Sequence, residues 1–224
     1  MSTENITKIN EPYPAVAIDN FIPSPSLLRA AAESFKTVKS EGWVSYSKES
    51  GQTQLSSRDR MYIPSPALIV LDHIATYFDP NKVFGNLTKD AFPDTSYYAA
   101  GMMLTPNAKG EGGYVGMHVD ADIHGGNLCW KREYSAILCV SEKYDSSFDL
   151  LLHDGKDKHA RVPYQFNRLN AFKCSENSWH GVPKVITEGL DRLILGVFYW
   201  SHVGKQERQK VRHRSKFRDD LKFD

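Results

Sequence analysis

Between residues 95 and 202 the sequence alternates short apolar runs with clusters of turn-forming residues, and this alternation limits the possible folds more than any other feature. The runs are rich in aromatic, β-branched and leucine residues, which is typical of short β-strands joined by turns. Eight such runs in about a hundred residues match the strand number of a double-layered jelly roll. The predicted strands are 96–105, 114–118, 134–140, 148–153, 160–164, 169–174, 179–186 and 193–201.

Helical patterns occur before this region. Ser-Pro pairs at 24–25 and 65–66 place a capping side chain before a proline of the first helical turn. Apolar residues then recur at helical spacing, which predicts one helix over about 25–38 and a second that ends before Pro80. Because no helical pattern separates the predicted strands, a doubly wound parallel sheet is disfavoured.

The predicted fold class is mainly β with flanking helices: a double-stranded β-helix, or jelly roll, with the N-terminal helices packed on one face. A length of 224 residues suits one structural domain with a sizeable core. Within it, residues 1–94 are expected to supply a strand and helices that support the barrel. Residues 95–202 form the β-helix core, and residues 203–224 form a basic tail or helix.

Composition and charge indicate the compartment. A net charge of +1 gives no general attraction to nucleic acid or to an anionic membrane. The opening residues, Met-Ser-Thr-Glu-Asn, do not resemble a secretory signal, and no apolar run is long enough to cross a bilayer. The three cysteines, Cys129, Cys139 and Cys174, are an odd number without paired spacing, which disfavours a disulfide framework or a zinc ribbon. A reducing, cytoplasmic location is therefore expected.

The C-terminal segment is locally basic. From Ser201 onward it holds eight Lys or Arg residues and four acidic ones, a surplus of four positive charges. The simpler interpretation is a solvated terminal helix or tail, and the alternative is a segment that binds an acidic partner or nucleic acid.

One pair of residues predicts a metal site. His118 and Asp120 are two positions apart at the end of the second predicted strand, so both side chains project to the same side. A further histidine from another strand would complete two imidazoles and one carboxylate, the ligand set of non-haem Fe(II) oxygenases. His180, on the seventh predicted strand, can meet the pair at the open mouth of a jelly roll. Arg192 would offer a fixed positive fork to a dicarboxylate near the metal.

Other polar residues are weaker candidates. Asp122 has the same side-chain parity as Asp120 and could replace it as a ligand. His124, His153 and His159 lie in polar, loop-like or edge contexts and are expected to be solvated. Arg132 either lines the mouth of the barrel or makes a surface salt bridge.

Around these residues the sequence resembles the 2-oxoglutarate and Fe(II)-dependent dioxygenases, in particular the branch similar to the prolyl 4-hydroxylase catalytic domain. The resemblance runs from Tyr13 to Trp200. Its most specific parts are Val162-Pro163, Phe166-Asn167-Arg168-Leu169, Ser178-Trp179-His180-Gly181-Val182-Pro183, Gly189, Arg192 and Phe198-Tyr199-Trp200.

The resemblance implies a role for each candidate. It implies that His118, Asp120 and His180 hold Fe(II), and that Arg192 pairs with the distal carboxylate of 2-oxoglutarate. Tyr98, expected on the first barrel strand, is similar in placement to an aromatic residue that helps seat 2-oxoglutarate. The implied co-substrates are 2-oxoglutarate and O2, with ascorbate as a possible reductant.

The implied reaction hydroxylates an aliphatic C–H bond and yields succinate and CO2. The substrate would be a prolyl residue in a peptide, a free amino acid or another small molecule. Relatives that halogenate have a small residue in place of the carboxylate, so Asp120 favours hydroxylation. Selectivity is expected from the loops 42–60 and 107–113, and no pattern predicts an oligomeric state.

Two alternatives remain open. The basic tail is compatible with an oxidative nucleic-acid demethylase, although alkylation-repair relatives have a second Arg six residues after the first and Phe198 occupies that position here. A metal-binding jelly roll without catalytic activity is the other alternative. It would bind a metal without turning over 2-oxoglutarate.

Overall fold

We describe a computed structural model of the 224-residue chain. It covers residues 5–46, 48–85, 87, 90–98, 100–182, 187–204 and 215–221. Within these residues no helix is long and apolar enough to cross a membrane.

Strands dominate the described residues. The helices are α1 (Pro25–Ser34), α2 (Ser65–Tyr77) and α3 (Pro80–Phe84). The strands are β1 (Ile6–Ile9), β2 (Ala15–Ile18), β3 (Val44–Tyr46), β4 (Gln54–Ser57), β5 (Phe92–Pro93), β6 (Gly101–Thr105), β7 (Val115–Val119), β8 (Trp130–Cys139), β9 (Leu150–His153), β10 (His159–Val162), β11 (Leu169–Lys173), β12 (Trp179–Val182), β13 (Arg192–His202) and β14 (Lys216–Phe217).

The strands form two antiparallel sheets. In the described part of the chain, the larger sheet has nine strands in the order β1-β2-β11-β8-β13-β6-β4-β3, with β5 paired to β13. The smaller sheet has five strands in the order β10-β9-β12-β7-β14. Each of the eight predicted strands is present at least in part, and the predicted jelly roll is confirmed. Residues 183–186, predicted as the end of the seventh strand, lie outside the described residues.

The helices cover the outer face of the larger sheet, as predicted. Ser24 caps α1, since its side chain accepts a hydrogen bond from the backbone N–H of Leu27. α1 ends at Ser34, earlier than expected, and residues 35–37 continue as a 3₁₀ turn. The tyrosine hydroxyl of Tyr199, on β13, donates to the carbonyl oxygens of Ile74 and Phe78 at the end of α2. Buried apolar side chains of the helices and of the larger sheet pack together in one core between them.

A second core lies between the two sheets. It includes Ile137 and Ile194 from the larger sheet, Leu150 and Leu152 from the smaller one, and Phe172 on β11. These side chains exclude water from the closed part of the sandwich. The polar candidates therefore collect at the open part, around β7 and β12.

Two segments differ from the predictions. The segment 42–60, predicted to be a loop with one strand at most, contains two strands, β3 and β4, which extend the larger sheet beside β6. The C-terminal end expected to be a solvated tail or helix contains β14, which pairs with β7. Most of the basic residues of that segment, between 205 and 214, lie outside the described residues.

Candidate metal centre and the cavity around it

Strand register brings His118, Asp120 and His180 together. His118 lies near the end of β7 directly opposite His180 on β12, and Asp120 follows β7. Nε2 of His118 is 3.5 Å from Oδ1 of Asp120, and Nε2 of His180 is 3.7 Å from its Oδ2. One ligand atom of each residue lies within 4.8 Å of the other two. These three atoms can therefore bind one ion from one side.

Hydrogen bonds determine which imidazole nitrogen faces the centre of this triad. Nδ1 of His118 is 2.9 Å from the carbonyl oxygen of Gly116, and Nδ1 of His180 is 3.0 Å from that of Ser178. A carbonyl only accepts hydrogen bonds, so each Nδ1 carries a proton and each Nε2 is the ring nitrogen that faces the centre of the triad. Burial also lowers the pKa of His180 to about 4, which keeps that imidazole neutral at physiological pH. Two imidazoles that present Nε2 and one carboxylate fit Fe(II).

Arg132 keeps Asp120 ionised. Its Nη1 atom is 2.6 Å from Oδ2 of Asp120. Burial alone would raise the pKa of Asp120, but Arg132 and the two imidazoles outweigh it and hold that pKa well below the usual value. The guanidinium is itself buried, and its Cζ atom lies 3.8 Å from the ring centroid of Phe198. The prediction of a surface salt bridge for Arg132 is therefore wrong.

Arg192 is a buried cation that has no carboxylate partner among the described residues. It is 3% exposed at the start of β13, and its Nε donates to the carbonyl oxygen of Phe148. Its Cζ atom lies 5.6 Å from the ring centroid of Tyr164. No carboxylate of a described residue lies within 4.0 Å of its guanidinium, and burial lowers its pKa. A buried guanidinium that has no carboxylate nearby favours the binding of an anionic ligand.

One cavity of about 650 Å³ connects the triad to Arg192. This volume lies within the range of small-molecule sites. Leu150 and Ile194 contribute apolar side chains to its lining. The lining also includes Tyr46, Arg58, Tyr98, Phe198 and Phe217.

Tyr98 lies in a different place from the one predicted. It precedes β6 in a turn and is 46% exposed, so its assignment to a strand is wrong. Its ring centroid is 5.3 Å from that of His124, at the outer wall of the cavity. The tyrosine that packs on Arg192 is Tyr164, which the sequence did not single out.

The other candidates lie outside the triad. His124 is buried, with Nε2 3.0 Å from Oδ2 of Asp94 and Nδ1 accepting two backbone N–H groups. His153 is also buried, so the solvated contexts predicted for these two histidines are wrong, whereas His159 is exposed. Asp122 is not in the one cluster of potential ligands found among the described residues.

β14 contributes to the lining of the cavity, which the sequence did not predict. Phe217 pairs with His118 across β14 and β7, and their rings stack with centroids 5.2 Å apart. The backbone N–H of Arg218 donates to the carbonyl oxygen of Met117. The only sequence signal is an aromatic residue between basic ones, Lys216-Phe217-Arg218, which does not indicate a partner strand.

Comparison with known proteins matches this site to one family. Residues 102–200, which include the triad and Arg192, match the model of the 2OG-Fe(II) oxygenase superfamily. No curated protein is similar in sequence at a significant level.

Solved structures share the fold at low sequence identity. A prolyl-4-hydroxylase from Pseudomonas putida is 18% identical, with a TM-score of 0.53, and the match covers 85% of this chain and 93% of that one. A prolyl hydroxylase from Trichoplax adhaerens, in complex with a hypoxia inducible factor peptide fragment, is 15% identical, with a TM-score of 0.51 and coverage of 88% and 86%. The epimerase SnoN, in complex with Fe3+, alpha ketoglutarate and nogalamycin RO, is 10% identical, with a TM-score of 0.54 and coverage of 85% and 81%.

Proposed function

We propose, because residues 102–200 match the model of the 2OG-Fe(II) oxygenase superfamily, that this protein is an Fe(II)- and 2-oxoglutarate-dependent dioxygenase that hydroxylates an aliphatic C–H bond. One observation carries the proposal: His118, Asp120 and His180 converge on the cavity that also contains the guanidinium of Arg192. A metal-binding jelly roll without catalytic activity would not require, in the same cavity as the metal ligands, a buried arginine that has no carboxylate partner among the described residues.

The triad would hold Fe(II) through Nε2 of His118, Nε2 of His180 and a carboxylate oxygen of Asp120. Bound iron supplies the activation of O2 that side chains alone cannot perform. The overall reaction converts R–H, O2 and 2-oxoglutarate to R–OH, succinate and CO2. One oxygen atom of O2 enters the product and the other enters succinate, so no further reductant is consumed in a productive cycle. Ascorbate is proposed only to keep the iron ferrous between cycles.

The chain's own residues bind and orient the reactants. Arg192 would bind the distal carboxylate of 2-oxoglutarate, because the carbonyl oxygen of Phe148 and the ring of Tyr164 hold its guanidinium in place. Leu150 and Ile194 exclude water from that part of the cavity. Arg132 orients Asp120 and keeps it ionised.

Two classes of substrate are compatible with the proposed reaction, a prolyl residue in a peptide and a small molecule. Similar solved structures include prolyl hydroxylases, one of them with a bound peptide, so a prolyl residue is one candidate substrate. β14 lies over the metal ligand His118 and closes one side of the cavity, which favours a small molecule instead. The nucleic-acid demethylase alternative depends on the basic segment 205–214, which lies outside the described residues.

A reducing, cytoplasmic location is proposed because Cys129, Cys139 and Cys174 are free thiols.

Succinate formation tests the proposed function. The purified protein with Fe(II) and O2 is expected to convert 2-oxoglutarate to succinate, and His180→Ala should abolish this conversion because one of the metal ligands is lost. His159→Ala is the matched control, since His159 is an exposed histidine on β10 outside the triad. Full turnover in His180→Ala would show that the metal site has been assigned to the wrong residues.

A further inference from the structure

One wall of the cavity is a polar stripe on and beside β4. Gln52, Gln54, Ser56 and Arg58 alternate along an extended segment, so their side chains project to the same side. All four line the cavity that contains the metal ligands. The stripe lies within residues 42–60, which were expected to contribute to selectivity, although the sequence did not single out these four side chains.

Two side chains of this stripe belong to buried residues and make no hydrogen bond to the described part of the chain. Gln54 is 8% exposed and Ser56 is 7% exposed. Neither side chain hydrogen-bonds to a described residue. Their polar atoms are not among the fully buried side-chain atoms that lack a partner, so they face the open space of the cavity. An amide and a hydroxyl that face a cavity in this state are suited to bind polar atoms of a ligand.

Arg58 ends the stripe with a positive charge held between two tyrosines. Its Nη1 donates to the hydroxyl oxygen of Tyr46 at 2.6 Å. Its Cζ atom lies 5.7 Å from the ring centroid of Tyr46 and 6.0 Å from that of Tyr98. No carboxylate of a described residue lies within 4.0 Å of this guanidinium. Most of its five donor hydrogens are therefore available to a ligand.

The charges of the cavity favour an anionic substrate. Its described lining contains three arginines, Arg58, Arg132 and Arg192, and one acidic residue, Asp120. Arg132 pairs with Asp120, and the proposed function assigns Arg192 to 2-oxoglutarate. Arg58 is then the one cation left in the described lining, and no acidic residue remains there to bind a substrate ammonium group. A single guanidinium with neutral neighbours matches a monoanion, for which a carboxylate is the planar, bidentate partner.

We infer that Arg58 is a specificity-determining residue that binds a carboxylate of the substrate, with Gln54 and Ser56 contacting polar atoms beside it. The substrate class is then a small organic acid rather than a cationic molecule or an internal residue of a peptide. This inference rests on the proposed function, because it assumes that the C–H bond to be oxidised lies in the same cavity.

A binding experiment isolates Arg58 from Arg192. The protein is loaded with Mn(II), which does not support turnover, and with saturating 2-oxoglutarate, so that Arg192 is occupied. The probes are N-acetyl-L-amino acids and their carboxamides, which differ only in the negative charge, and binding is measured by calorimetry. At least one acid should bind at least tenfold more tightly than its carboxamide. Arg58→Gln should remove this preference, and Arg58→Lys should retain part of it.

Arg29→Gln provides the matched control. Arg29 is an exposed arginine that pairs with Glu142 on the helical side and does not line the cavity, so the preference for acids should persist. A defect in folding would weaken the binding of acids and of carboxamides alike. The ratio of the two dissociation constants therefore reports the contact with the carboxylate. The inference is overturned if no acid binds, if carboxamides bind as tightly as acids, or if the preference survives in Arg58→Gln.

Two further outcomes separate this inference from the proposed function. If the Mn(II)-loaded protein does not bind 2-oxoglutarate, the proposed function fails, and the inference fails with it. If 2-oxoglutarate binds and end-blocked prolyl peptides stimulate succinate formation with Fe(II) while the acids do not, the proposed function stands and the carboxylate assignment is wrong.

Discussion

The guanidinium of Arg132 lies 2.6 Å from Oδ2 of Asp120, so a metal ligand is also half of a buried ion pair. The carboxylate is shared by Arg132 and by two imidazoles, whose Nε2 atoms lie 3.5 Å and 3.7 Å from its oxygens. The pair keeps the carboxylate ionised and oriented in the interior, where an isolated charge would be costly.

Replacing Arg132 should destabilise the metal-free protein more than the metal-loaded one. Arg132→Met leaves Asp120 buried without its cation, and breaking a buried pair in this way costs about 3–5 kcal/mol. Urea unfolding measures the loss, and adding Mn(II) should reduce it because the ion restores positive charge beside Asp120. Arg132→Lys, which keeps the charge, should lose less. An equal loss with and without Mn(II) would contradict this account.

The stability of the metal-free protein should fall in acid because of His180. Burial lowers the pKa of this side chain to about 4 from the usual 6.5. Between these two pH values the unfolded chain binds a proton that the folded protein excludes, so the free energy of unfolding decreases as pH falls from 6.5 towards 4. A shift of this size corresponds to roughly 3 kcal/mol.

His180→Gln isolates this contribution, because a glutamine takes up no proton. Burial also lowers the pKa of His73 and His153, so wild type and variant should both lose stability in acid. The variant should lose less, and urea unfolding of both proteins between pH 7 and pH 4 measures the difference. Parallel pH profiles would rule out the effect.

Removing Arg192 should weaken the binding of 2-oxoglutarate without weakening the binding of the metal. Truncating one partner of a buried charge pair costs about 2 kcal/mol or more, which corresponds to roughly a 30-fold higher Kd for 2-oxoglutarate in Arg192→Met. Arg192→Lys should be intermediate, since it keeps the charge without the planar fork. Calorimetric titrations of Mn(II), and then of 2-oxoglutarate into the Mn(II)-loaded protein, measure the two affinities. Unchanged 2-oxoglutarate binding would remove Arg192 from the site.

Removing the ring of Phe217 should open the metal centre to water. Phe217→Ala loses the stacking on His118, a contact worth about 1 kcal/mol. Mn(II) should therefore dissociate several-fold faster into a chelator. Phe166→Ala is the control, because Phe166 is half-buried like Phe217 but packs against Arg29 and does not line the cavity. Equal dissociation rates in wild type and Phe217→Ala would show that β14 does not shield the metal.

Local patterns in the sequence determined most of the barrel strands and the first helices. The spacing of apolar residues and turn residues predicts each of the eight strands, and Ser24 marks the start of α1. The two-residue spacing of His118 and Asp120 predicts that they share one side of the chain. These features can be predicted from the sequence because they depend on neighbours only a few residues away.

Only the tertiary structure decided which distant residues meet. The register of β7 and β12 places His180 opposite His118, and the neighbouring strands β8 and β13 bring Arg132 under Phe198 beside Asp120. β14 returns to cover His118, and β4 turns its polar side towards the cavity. The physical reason is that pairing between segments far apart in the chain depends on how whole sheet surfaces pack. Residues such as Arg58 and Phe217 carry no local signal of the partners they acquire.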